Sequence, residues 1–116
     1  MVAMEPNDRP AIRLPRPIDD YVRQENLGEA DLAECFAEDA VVHDEGKTHV
    51  GRAAIARWRA STKRKYKHSL APLELAQAGN KTVLKAMVFG KFPGSPVVLD
   101  FAFILENEKI TSLEIK

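Results

Sequence analysis

Asp44 has the setting in this chain that most invites chemistry. It closes the apolar run Ala40-Val41-Val42-His43-Asp44, a turn follows at Glu45-Gly46-Lys47, and a new helix opens at Gly51. A carboxylate at the end of a buried strand beside a helix start is where small α+β domains place pocket chemistry. An Asp just ahead of Gly46 is also ordinary turn chemistry, and both readings stay open. Asp100 is the second candidate, because it interrupts Val97-Val98-Leu99 and Phe101-Ala102-Phe103-Ile104-Leu105. Buried without a cation, it favours the neutral, hydrogen-donating form. On a solvated face, or beside a basic residue, it is an ordinary ion. Tyr21 is the third candidate, an aromatic on the apolar stripe of a helix, with a hydroxyl that needs a partner.

Strand alternation groups Ala40 and Val42 with Asp44, and turns Val41 and His43 the other way. It also groups Val98, Ala102 and Ile104 with Asp100, an apolar wall suited to an apolar ligand. The expected pocket lining is therefore Val42, Trp58, Val98 and Ala102. A dyad of the adjacent His43 and Asp44 is disfavoured, whereas His49 and His68 reach the pocket mouth or lie on the surface. No metal-ligand spacing joins the three His to Cys35, so no metal is expected, and no cofactor. Cys35 is the only cysteine, which excludes an intrachain disulfide and reads as a small buried hydrophobe.

The elements that must position these residues follow from periodicity and punctuation. Residues 1–16 are rich in Pro and charge and read as a flexible N-terminal arm. Pro17 suits a helix start, and Ile18, Tyr21, Val22 and Glu25 follow at helical spacing until Gly28. A second, shorter helix is expected from Glu29 to Phe36. The strand from Ala40 to Asp44 pairs with Thr48 to Val50. A third helix runs from Gly51 to about Lys65, with Ile55, Trp58 and Thr62 as its buried stripe. Period two then takes over: strands are expected at Lys67 to Gln77, with Pro72 implying a bulge or an edge, at Thr82 to Phe89, at about Val97 to Leu105, and at Lys109 to Ile115. Three helices segregated from such an antiparallel sheet give an α+β domain over residues 17–116.

Composition narrows the function classes. The 116 residues fit a single domain, and 45% apolar residues suffice for one core. Lys+Arg and Asp+Glu are equal at 17 each, so no electrostatic case exists for nucleic acid or an anionic membrane. The run Lys63-Arg64-Lys65-Tyr66-Lys67 reads as a solvated helix end. No apolar run approaches a membrane span. The first residues lack an apolar signal core, and a cytoplasmic location is expected.

The order of elements and several local motifs resemble the NTF2-like superfamily, in particular its SnoaL-like and ketosteroid-isomerase-like branches. The resemblance is carried by Tyr21-Val22, by Asn26-Leu27-Gly28-Glu29, by Phe36-Ala37-Glu38-Asp39-Ala40-Val41-Val42 and by Gly51-Arg52-Ala53-Ala54-Ile55. It implies an α+β cone, with three N-terminal helices packed on a strongly curved, mainly antiparallel sheet that encloses a pocket. It also implies a small apolar ligand and a homodimer formed through the sheet. Aligned on the isomerase pattern, Asp44 falls on the general base, and Tyr21 and Asp100 fall on the oxyanion hole, where the carboxylic acid stays neutral. Glu45 departs from the pattern, since the isomerases place a proline there, and the chain's stop at Lys116 leaves no C-terminal lid. The activity so implied is isomerase- or cyclase-type proton transfer next to a carbonyl of a small apolar cyclic substrate. The alternatives are a non-catalytic ligand-binding or dimerisation module, or a dehydratase or hydrolase pairing His49 or His68 with Asp44.

Overall fold

The structure, a computed structural model, describes residues 13–27 and 34–116. Their order is α1 (Arg16–Leu27), β1 (Phe36–Asp44), β2 (Lys47–Val50), α2 (Arg52–Tyr66), β3 (Ser69–Ala78), β4 (Lys81–Phe89), β5 (Val97–Glu106) and β6 (Lys109–Ile115). The strands form one curved six-stranded sheet in the order β2-β1-β6-β5-β4-β3, which does not close on itself. Only β1 and β6 run parallel; every other pairing is antiparallel.

Two α-helices, not three, stand among the described residues. The expected helix from Glu29 to Phe36 lies largely in residues 28–33, outside the described part. Glu34 and Cys35 make a short 3-10 turn, and Phe36 begins β1 with its ring fully buried. Of the expected arm, residues 1–12 lie outside the described part, and Arg16 already opens α1. No described helix is long and apolar enough to cross a membrane.

One sheet face holds the core. Ile18, Tyr21 and Val22 of α1 and Ile55 and Trp58 of α2 pack there against Val42, Leu84, Phe101, Phe103 and Leu113. Tyr21 sits at the centre, edge-on to Phe36 and Phe103 with ring centroids 6.1 and 5.5 Å away. Such edge-to-face pairs match the positive rim of one ring to the negative face of the next. Cys35 packs partly buried against this core, and burial pushes its thiol up to about 11. That environment suits the hydrophobe reading.

Local chemistry sets the boundaries that matter for function. Asp44 pairs with Lys47 across a two-residue loop in which Glu45 and Gly46 both have positive φ, 53° and 74°. That twist matches the right-handed twist of the flanking strands and anchors Asp44 at the strand end. Gly51 precedes α2 with φ 87°, a region that side chains rarely tolerate. The β3–β4 register shifts between Pro72 and Glu74, so the expected bulge is present, on a strand that also edges the sheet.

The face assignment of β5 is corrected. Phe101 and Phe103 point to the core, so Val98, Asp100, Ala102 and Ile104 share the outer face. Asp100 lies opposite Lys85 in the β4–β5 register, and Lys85 Nζ donates to its Oδ1 at 3.0 Å. Both side chains are nearly half exposed. Val98 and Ala102 therefore line no pocket under the helices, and Asp100 is paired with Lys85 on the outer face rather than buried.

Candidate functional site

A cavity of about 400 Å³ opens between the two helices and the sheet. Its apolar wall includes Leu70, Val88, Phe92, Phe101 and Ile115, and its polar groups include Tyr21, Asp44, Glu45, Trp58, Tyr66 and His68. Two of the three expected catalytic residues, Asp44 and Tyr21, meet here, along with Trp58. Val42 lies fully buried in the core, one alternation deeper on the Asp44 face, and is not part of the lining.

Asp44 is held by α2. Trp58 Nε1 donates to its Oδ2 at 3.0 Å. Burial raises the Asp44 pKa above its ordinary value; the Trp58 hydrogen bond opposes that rise, and the neighbouring Glu45 charge adds to it. A base raised in this way binds a proton more firmly while staying within reach of a substrate. Glu45 itself accepts a hydrogen bond from the Tyr66 hydroxyl at 2.9 Å.

Tyr21 lies on the cavity floor, 1% exposed. Burial first, and then the carboxylates of Glu25 and Asp44, push its phenol well above the usual tyrosine range. It therefore remains a neutral hydroxyl at physiological pH and can donate a hydrogen bond.

Two further groups were not legible as a site. Glu25, one turn beyond Tyr21 on α1, is 1% exposed, with Oε1 3.0 Å from Nε2 of His68 at the mouth of β3. The available signal was an acid on an otherwise apolar helical stripe. Lys63 Nζ donates to the backbone carbonyls of both Glu25 and His68, so this residue of the basic run is a tie rather than a solvated charge. His43 is exposed, with Nδ1 3.1 Å from Thr48 Oγ1. His49 packs on Trp58 at 5.9 Å, outside the cavity lining.

The described residues thus form a curved sheet with two helices on one face and an apolar, acid-bearing cavity between them. The SnoaL-like domain model matches residues 20–112, and the chain belongs to that family. Among solved structures, a candidate polyketide cyclase from Sinorhizobium meliloti is 40% identical, covering 89% of this chain and 95% of that one at a TM-score of 0.85. A Catenulispora acidiphila protein with a ketosteroid isomerase-like fold, solved with trimethylamine, is 21% identical over 90% of this chain and 86% of that one, at a TM-score of 0.78. An epoxide hydrolase/cyclase-like enzyme of pyran ring formation in salinomycin is 22% identical over 85% of each chain, at a TM-score of 0.72. No curated protein sequence matches the chain.

Proposed function

We propose that this SnoaL-like domain is an acid–base catalyst of the isomerase or cyclase type, moving a proton next to the carbonyl of a small, largely apolar cyclic compound. The observation that carries the reading is the Asp44 carboxylate on the cavity wall, gripped by Trp58 and raised by burial. In this reading Asp44 takes the proton from carbon, and the neutral Tyr21 hydroxyl stabilises the oxygen on which charge develops. Among the described residues the lining carries Asp44 and Glu45 and neither Lys nor Arg, which favours a neutral substrate over an anionic one. The 40% identity to a candidate polyketide cyclase supports the same class of chemistry.

The reading includes a homodimer. Val98 and Phe89 lie on the outer sheet face at 43% exposed each, with Met87 and Ile104 beside them, and a partner's sheet would cover that apolar area. Light scattering at micromolar concentration is expected to give twice the chain mass; a monomer would count against it.

The test of the chemistry is deuterium exchange from D2O into a panel of cyclic ketones, followed by proton NMR. Wild type is expected to label the carbon next to the carbonyl. Asp44→Asn should lower the rate about 10²-fold or more, and Tyr21→Phe by about 10²-fold, with ligand binding retained. Exchange that survives Asp44→Asn would overturn the assignment. Binding of the ketones by wild type without any exchange would mark a non-catalytic module.

A further inference from the structure

The cavity is graded in depth. Its inner end is formed by Tyr21 and Phe101, 1% and 3% exposed, and its rim by the exposed Glu45 and the half-buried Tyr66 and Phe92. Both tyrosines, the single tryptophan and two of the five phenylalanines of the chain face this one space. At the rim, the Tyr66 and Phe92 rings meet edge to face, with planes at 83° and centroids 5.7 Å apart. The Tyr66 hydroxyl donates to Glu45 Oε1 at 2.9 Å, which fixes the carboxylate beside the two rings. A single hydrogen bond leaves a carboxylate most of its accepting capacity.

Rings and a carboxylate so placed suit a cation. An aromatic face carries negative charge density and attracts an ammonium lying within about 6 Å of its centre. Lys65, outside the lining, shows the effect, with Nζ 5.1 Å from the Tyr66 ring centroid. Among the described lining residues no Lys or Arg opposes the charges of Asp44 and Glu45. A neutral group entering over Glu45 would strip water from a carboxylate and return nothing for it. An ammonium group would replace that water with a charge of opposite sign. Asp44 gains as well. Burial holds it toward the protonated form, and the Glu45 charge adds to this against the Trp58 hydrogen bond. A cation at the rim offsets the Glu45 charge and so favours the ionised Asp44 that can accept a proton.

We propose that the substrate of this site carries a protonated or quaternary amine, seated at the rim between the Glu45 carboxylate and the Tyr66 and Phe92 rings, while its carbonyl points inward to Asp44 and Tyr21. The substrate class is then a cyclic amino ketone, with its carbon skeleton against Val88 and Phe101. The placement of the carbonyl rests on the Asp44 reading above; the amine seat rests on the rim alone.

The test compares three ring ketones on the intact chain: the cation 4-trimethylammoniocyclohexanone, its uncharged isostere 4-tert-butylcyclohexanone, and the anion 4-oxocyclohexanecarboxylate. NMR titration gives each Kd, and exchange from D2O gives turnover. At low salt the cation is expected to bind about tenfold more tightly than its isostere, and the anion more weakly than either. The advantage should shrink severalfold at 1 M salt, where the screening length is about 3 Å. Glu45→Gln keeps the side-chain size and the acceptor for Tyr66. It should bring the cation within about twofold of the isostere, whose own Kd stays unchanged. Phe92→Leu should weaken the cation about two- to fivefold and the isostere less. Proton NOEs from the N-methyl groups should fall on the Tyr66 and Phe92 rings.

Equal binding of the cation and its isostere, or an advantage that survives Glu45→Gln, would overturn the amine seat. Failure of the cation to bind at millimolar concentration would do the same. Asp44-dependent exchange into the neutral ketone, with no preference for the cation, would leave the Asp44 reading standing and remove this proposal. A Glu45-dependent preference for the cation, without exchange of any ketone, would sustain the seat and sink the Asp44 reading. A Glu45 that serves only its turn would shift the melting temperature of Glu45→Gln and move all three Kd values together, which also counts against the seat. Should that variant fail to fold, Phe92→Leu and the salt dependence carry the same comparison.

Discussion

Asp100→Asn separates the two roles open to that residue, and the structure sets the size of each effect. Asp100 meets Lys85 at 3.0 Å across the β4–β5 register, with side chains 47% and 44% exposed. Unscreened attraction at this distance is about 1.4 kcal/mol in water. Holding two flexible side chains in one geometry offsets much of it, and measured exposed pairs fall at about 0.2–1 kcal/mol. Taking about 0.5 kcal/mol, and about 4–8 °C per kcal/mol for a domain of this size, the melting temperature should fall by about 2–4 °C. A double-mutant cycle with Lys85→Met should give a coupling of the same size, shrinking at 1 M salt, where the screening length is about 3 Å. Ketone exchange should stay within about twofold of wild type, whereas loss of an oxyanion donor would lower it about 10²–10³-fold. Thermal melts at two salt concentrations and the exchange assay settle the matter on one set of proteins. A 100-fold loss of exchange with an unchanged melt would refute the outward placement of Asp100 and return it to the pocket.

Trp58→Phe removes the N–H that favours the ionised form of Asp44, so the Asp44 carboxyl should titrate higher than in wild type; a 13C NMR titration giving a lower midpoint would contradict this. Because the folded pKa of Asp44 is raised above 3.8, Asp44 contributes stability that is full below the unfolded value and is lost as pH rises through the folded one. Asp44→Asn should therefore melt at or above wild type at pH 7, and the two should converge or cross below pH 3.8; a neutral-pH melt well below wild type would show that the carboxylate stabilises the fold. Gly90→Ala places a Cβ 2.8 Å from the Tyr66 carbonyl oxygen and 2.9 Å from the Phe92 ring. The Tyr66 backbone, and that of His68 with its Cα 3.1 Å away, cannot yield without parting the β4 end from α2, so denaturant unfolding should show a loss of about 1–3 kcal/mol.

Several features were legible from residue pattern because they depend on neighbours close in sequence. Alternation in Ala40 to Asp44 gave the correct inward face, since His43 is polar while Ala40 and Val42 on the opposite face are apolar. Pro72 marked its bulge, and Glu45-Gly46 its turn, because proline and left-handed residues restrict backbone angles locally. The same alternation misassigned Asp100. Both faces of β5 are apolar, one packing on the helices and the other lying outside with Phe89 and Met87, so period two alone carries no information on which face is inward. The helix expected up to Phe36 does not include that residue, which pairs instead with Ile110 in β6, a partner far along the chain.

The order of elements from β1 onward, the SnoaL-like family and the inward-facing positions of Asp44 and Tyr21 were therefore legible in the sequence itself, through motifs whose members lie within a few turns or one hairpin of each other. Tertiary structure alone decided which polar groups meet. Glu25 and His68 are 43 positions apart, and the meeting of α1 with β3 makes them a pair. The sheet's register sends Asp100 to Lys85. Helical spacing can show that Glu25 faces inward, but only the packing of another element supplies the partner that lets a buried carboxylate stay there.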